Sequence, residues 1–221
     1  MMHSRTRIKV CGITSAEDAA DAIQAGVDAL GFIFVESSPR YISPEKAKEI
    51  IAQLPPFIHY VGVFVDNDPI EVEEIIDYCG LSFVQLHGKE DAAYCQKLAQ
   101  VATPCKIIKA FRVGNKSLAA DFKPYEEVVK GFLLDTYVDG QEGGTGKPFD
   151  WSIIESLNLQ LPIILAGGLT PDNAAEAVRG VRPFAIDVNS GVEIEPGKKN
   201  IEQLRILVQR VAAADKEVVG G

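Results

Sequence analysis

Two side chains in this sequence have the reactivity to move protons, Cys11 and Asp135, and each stands at the end of a short apolar run. Cys11 closes Arg7-Ile8-Lys9-Val10-Cys11 and is followed at once by Gly12-Ile13-Thr14 and a helix start. A thiol where a strand emits into a loop is within reach of a substrate; one placed earlier fills core, the commoner fate of a free cysteine. To act as base or nucleophile it needs partial exposure and a pKa below the ~8.5 of a free thiol. Asp135 ends Gly131-Phe132-Leu133-Leu134. Apolar surroundings raise a carboxyl pKa, so Asp135 is expected to hold a proton near neutrality and serve as a general acid. Capping of a loop amide such as that of Thr136 is the other use of such a carboxylate.

Further candidates lie at similar places. Arg40, in Ser37-Ser38-Pro39-Arg40-Tyr41, could hold a carboxylate through two parallel hydrogen bonds, or simply be solvated. Lys109 and Arg112 flank the end of the fifth apolar run. Lys109 could form a Schiff base; pairing with a neighbouring carboxylate explains it equally well. Ala166-Gly167-Gly168-Leu169 and Asn189-Ser190-Gly191-Val192 each place glycine where backbone can approach a phosphate closely. Gly140-Gln141-Glu142-Gly143-Gly144-Thr145-Gly146-Lys147 lacks the Walker spacing and reads as a mobile lid. Cys11, Cys79, Cys95 and Cys105 show no metal-ligand spacing, and the three histidines are scattered. Neither a metal site nor a disulfide is expected.

These residues need a frame to bring them together. Runs rich in Val, Ile and Phe occur at Arg7 to Cys11, Ala29 to Phe34, His59 to Val65, Phe83 to Leu86, Cys105 to Phe111, Gly131 to Asp135, Pro162 to Ala166 and Ala185 to Val188. Helix starts fall between them at Ser15-Ala16-Glu17-Asp18, Ser43-Pro44-Glu45 and Thr170-Pro171-Asp172, each an N-cap residue, two with proline next. Nearly continuous apolar strands separated by crossovers imply a parallel sheet covered on both faces. Eight of them predict an α/β protein, a single (β/α)8 TIM barrel spanning 1–221. In that fold the C-terminal strand ends carry the chemistry and the loops after strands seven and eight commonly hold phosphate. One face would then gather Cys11, Phe34 and the loop to Arg40, Asp66, His87, Asp135, Gly167-Gly168 and Ser190-Gly191. The fifth crossover, Gly114 to Tyr125, has weak periodicity and is interrupted by Pro124, so its helix should be short or irregular. Asn200 should cap a last helix from Ile201 to about Asp215, with Val218 to Gly221 frayed.

The chain has 221 residues, 47% of them hydrophobic, and a formal charge of −9. Its longest basic run of note is Lys198-Lys199, which argues against a nucleic-acid surface. No apolar run approaches the ~20 residues of a membrane span, and the N-terminus lacks a secretory signal, so no membrane partner and a cytoplasmic location are expected. A small anionic ligand is compatible with the charge, because it responds to local arginines and helix N-termini.

With these motifs in place, the chain resembles the phosphoribosylanthranilate isomerase family of tryptophan biosynthesis. The resemblance runs through Lys9-Val10-Cys11-Gly12-Ile13-Thr14, Ser38-Pro39-Arg40-Tyr41, Gln85-Leu86-His87-Gly88, Asp135, Gly143-Gly144-Thr145-Gly146, Ala166-Gly167-Gly168-Leu169 and Asn189-Ser190-Gly191-Val192-Glu193. It implies an Amadori rearrangement of N-(5-phosphoribosyl)anthranilate to 1-(2-carboxyphenylamino)-1-deoxyribulose 5-phosphate, without metal or redox cofactor. It further implies Asp135 as general acid, Cys11 as general base and Arg40 on the anthranilate carboxylate. Gly167, Gly168, Ser190 and Gly191 would hold the phosphate, Asp187 would join the substrate contacts, and Gly143 to Gly146 would belong to a covering loop, with Gly143 and Gly144 also contacting the substrate. His87 fits the motif with its role open between orienting the substrate and supporting a neighbour. The expected partner is the phosphoribosyl substrate, in a monomer or a homodimer. Asn200 stands where the family more usually has Asp; either caps a helix.

Three other readings compete. A related phosphosugar barrel isomerase of histidine biosynthesis would use carboxylates at both catalytic positions, against which Cys11 speaks. An aldolase would use Lys109, and a non-catalytic barrel would bind the phosphoester without converting it.

Overall fold

The eight apolar runs form eight parallel strands in the structure, a computed structural model that describes residues 5–136 and 151–220. They are β1 (Arg7–Val10), β2 (Ala29–Ile33), β3 (His59–Phe64), β4 (Phe83–Leu86), β5 (Lys106–Arg112), β6 (Gly131–Asp135), β7 (Ile163–Ala166) and β8 (Ala185–Val188). Each pairs with the next, and β1 closes on β8 with Lys9 opposite Asp187. Closure leaves no sheet edge, and the architecture is the expected TIM barrel. Strand ends fall within a residue of the expected ones.

Alternation along each strand divides the core. Outward residues such as Leu30, Phe32, Phe132 and Leu134 are fully buried beneath the helices. Inward residues form smaller clusters, Ile108, Leu133 and Ile164 at one level and Cys11, Ile33 and Val63 at another.

The caps do what their chemistry allows. Ser15 accepts from Asp18 N at 3.1 Å ahead of α1 (Ala16–Ala25), and Ser43 from Lys46 N at 3.3 Å ahead of α2 (Pro44–Ile51). The third and fourth helices, α3 (Pro69–Cys79) and α4 (Ala92–Val101), are capped by Asp68 and Asp91. The fifth crossover holds only α5 (Ala119–Phe122) and a 3-10 turn at Lys123–Tyr125, short as expected. Aromatic packing compensates for its length: Phe122, 1% exposed, lies 4.4 Å from the Phe111 ring and 5.3 Å from Phe132. Phe122→Ala should cost about 3–5 kcal/mol of unfolding free energy, read from urea unfolding; a cost below about 1 kcal/mol would show that the segment does not depend on this anchor.

After α6 (Ser152–Ser156), Thr170 caps α7 (Pro171–Val181) through Asp172 N at 3.3 Å. Asn200 Oδ1 accepts from Glu202 N and Gln203 N, both at 3.1 Å, and opens α8. This helix runs Ile201–Gly220, past the expected end at Asp215 and through Val218 to Gly220 of the stretch expected to fray. Tertiary contacts hold it: Val211 and Ala214 are buried, Asp215 accepts from Thr6 N and Oγ1 at 2.7 Å, and Glu217 meets Arg179 at 2.7 Å. A 3-10 turn at Ser190–Val192 and a hairpin of β9 (Glu193–Glu195) and β10 (Lys198–Lys199) follow β8. The sequence reading did not anticipate this hairpin, which brings Lys199 toward Cys11 and Glu193 to Arg40. Among the described residues no helix is long and apolar enough to cross a membrane.

Candidate active site

A cavity of about 440 Å³ opens at the C-terminal strand ends, and its walls include Cys11, His87, Asp135, Asp187 and the glycine loops after β7 and β8. Cys11 is the first residue beyond β1, its N–H held by Val188 O at 2.8 Å. Gly12 follows with φ +74°, and a Cβ there would stand 2.7 Å from Arg40 Cδ and 2.9 Å from Asn189 Oδ1. Only glycine permits this turn between the barrel and Arg40.

The thiol is less exposed than expected, with Cys11 at 5%. Burial pushes its pKa up, Lys9 pulls it down, Asp187 pushes it up again, and Lys199 adds a smaller downward pull. The net direction is above an ordinary thiol, which corrects the expectation of a lowered value and counts against the thiol as a base in the free enzyme: desolvation of the thiolate outweighs the nearby ammonium groups. In the free enzyme the midpoint of Cys11 alkylation should therefore lie above the ~8.5 of an ordinary thiol, and a midpoint below that value would contradict the desolvation argument.

Lys9 and Asp187 meet at 2.8 Å inside the barrel, both nearly inaccessible. The other carboxylate oxygen of Asp187 is buried without a hydrogen-bond partner among the described residues. Such an oxygen costs about 1–3 kcal/mol until something donates to it, and it belongs to a residue of the cavity wall.

Asp135 ends β6 beside Ala166 and Arg112. The N–H of Thr136 is taken by Ala166 O at 3.1 Å, so Asp135 does not cap that amide. His87 Nε2 lies 3.5 Å from Asp135 Oδ2, and Gln85 Nε2 lies 3.0 Å from His87 Nδ1. With the Gln85 amide donating, Nδ1 accepts and the ring proton sits on Nε2, toward Asp135. His87 is thus placed to support the carboxyl.

Arg40 does not line this cavity. Its Nε lies 2.9 Å from Glu193 Oε1 and its Nη2 2.6 Å from Oε2, a side-on pair. Lys199 Nζ reaches the same carboxylate at 2.7 Å. Although burial acts the other way, Arg40 and Lys199 hold Glu193 below the ordinary carboxylate range. A substrate carboxylate on Arg40 would share the guanidinium with Glu193.

Lys109 is buried, with Glu90 Oε2 at 3.0 Å, Gly88 O at 2.9 Å and Leu86 O at 3.2 Å. Those partners make it the structural lysine of the two readings. Asp66 accepts from Lys89 N at 2.6 Å and shapes the loop after β4. Gly143 and Gly144 lie outside the described residues. Gly167 and Gly168 have φ +93° and +61°. A Cβ on Gly191 would fall 1.9 Å from Leu169 O, so the two glycine loops touch through backbone. Gly191→Ala should part them and raise KM for a phosphorylated substrate on the order of tenfold or more; an unchanged KM would separate Gly191 from binding.

Lys9, Gln85 and Glu193 were missed as participants. The signal for Lys9 was present, since residues two apart on a strand share a face. Glu193 stood in the motif of the family resemblance, but no local pattern paired it with Arg40, which it reaches through the hairpin.

A barrel with a thiol, a carboxyl and close-approach glycine loops converging at its C-terminal mouth defines a β/α-barrel enzyme with its chemistry on that face. Residues 8–210 match the family model described as N-(5'-phosphoribosyl)anthranilate isomerase. The chain belongs to this isomerase family. An N-(5'-phosphoribosyl)anthranilate isomerase of Citrifermentans bemidjiense is 50% identical over 206 residues, 92% of this chain and 95% of its own. The phosphoribosyl anthranilate isomerase structure from Thermotoga maritima has a TM-score of 0.84 at 42% identity, covering 94% of this chain and 99% of its own. A family structure solved with reduced 1-(o-carboxyphenylamino)-1-deoxyribulose 5-phosphate has a TM-score of 0.81 at 39% identity, covering 94% and 99%.

Proposed function

We propose that this isomerase converts N-(5-phosphoribosyl)anthranilate to the aminoketose, with Asp135 as general acid and Cys11 as general base. The observation that carries the reading is the convergence of Cys11, Asp135 and Asp187 on one cavity. Asp135 gives its proton to the furanose ring oxygen as the C1–O bond breaks, and the nitrogen lone pair forms the C=N bond of a protonated Schiff base. The Cys11 thiolate takes the C2 proton. The C–H electron pair becomes the C1=C2 bond of an enolamine as the C=N π pair returns to nitrogen, and the C2 hydroxyl then gives up its proton to become the ketone as C1 gains one. The competent state therefore holds one proton on Asp135 and none on Cys11, a property of the pair.

His87 orients the acid. Asp187 is assigned to a sugar hydroxyl, which would supply the donor its second oxygen lacks. Gly167, Gly168, Ser190 and Gly191 are assigned to the phosphate and Arg40, beside Glu193, to the anthranilate carboxylate. Loss of phosphoribosylanthranilate fluorescence on adding purified protein tests the whole. Steady conversion to the aminoketose is expected; binding without conversion would select the non-catalytic barrel. The aldolase reading loses its support to the partners of Lys109.

A further inference from the structure

A buried thiol that must ionise needs a compensating cation, and Cys11 has one on its own strand. Lys9 and Cys11 are two residues apart and face the same side. The site of a Cβ on Gly31 would be 2.8 Å from Cys11 Sγ and 3.1 Å from Lys9 Cε, so the thiol and the lysine stem share the space above this one glycine. Lys9 is 4% exposed and its Nζ lies 2.8 Å from Asp187 Oδ2.

We propose that Lys9 is the positioning residue for the Cys11 thiolate: its ammonium, anchored by Asp187 and admitted by Gly31, is the charge that stabilises the ionised sulfur. The proposal rests on the reading of Cys11 as the base.

The other charges facing Cys11 do not fill this role. Asp187, on β8, opposes ionisation of the thiol. Lys199, on β10, favours it but sits 2.7 Å from Glu193, which also takes the guanidinium of Arg40. His87 and Asp135 share the cavity and are engaged with each other. Lys9 is buried with one carboxylate oxygen of Asp187 upon it. Burial works against its charge, yet Asp187 and Cys11 together hold the ammonium above the ordinary lysine value. A buried pair of this kind gives little net stability compared with apolar residues, which fits retention for electrostatics.

The test is the pH dependence of Cys11 alkylation by iodoacetamide, followed by mass spectrometry on the Cys11 peptide to separate it from Cys79, Cys95 and Cys105. Lys9→Met should move the midpoint up by about one unit or more, so that alkylation near about pH 8 slows roughly tenfold. That variant strands Asp187 and could fail to fold. Lys9→Met/Asp187→Leu removes the pair together and should still raise the midpoint, by less, because the opposing carboxylate goes too. A midpoint unchanged or lowered in the folded variants overturns the proposal, since a structural lysine would change the melting temperature and leave the thiol alone. Alkylation does not depend on turnover. If Cys11→Ser kept full activity the base assignment would fall, while the midpoint would still decide on Lys9.

Discussion

Asp135→Asn is expected to lower kcat by about 10²–10⁴-fold, the range over which a positioned acid acts. The amide has nearly the shape of the carboxyl and ends the same strand, but it cannot give a proton to the departing ring oxygen. Ring opening would then rely on solvent. The side chain is one-fifth exposed and lies 3.5 Å from His87, and the amide keeps its size, so the substitution should leave barrel stability within about 1 kcal/mol. KM should change far less than kcat, because the phosphate loops and Asp187 are untouched. A folded variant with the turnover of the parent would remove Asp135 from the reaction, whatever its place in the cavity.

Cys11→Ser should produce a loss of similar size, about 10²–10⁴-fold, for a different reason. Serine fits the space over Gly31 and disturbs neither the Val188 hydrogen bond nor the Gly12 turn. Its hydroxyl, however, does not ionise in the accessible range, and Lys9 cannot compensate for that. Because proton removal follows ring opening, the two variants should differ in what they accumulate. Asp135→Asn should hold closed-ring substrate, and Cys11→Ser should pass it to the opened Schiff base. Exchange of the C2 hydrogen with solvent deuterium reports the second step: it should be absent in Cys11→Ser, and exchange at the parental rate would assign the base elsewhere.

Particular elements show where sequence reasoning reaches. Ser15, Ser43, Thr170 and Asn200 were readable as caps because a cap is a local bond between a side chain and an amide two or three residues on. The short fifth helix was readable from Pro124 and a failed period. The continuation of α8 to Gly220 was not, because it is held by Thr6 and Arg179, from distant parts of the chain.

The site divides in the same way. Residue types and their places at strand ends determined which groups could be acid, base and phosphate cradle, since a strand's end and a glycine's freedom are local properties. Only the tertiary structure decided their electrical setting. It set Lys9 against Asp187 across the closure of β1 on β8, gave Arg40 to Glu193 by way of the hairpin, turned His87 toward Asp135 and buried the thiol. Charge and desolvation act through space, between groups whose separation along the chain says nothing of their distance once the barrel closes.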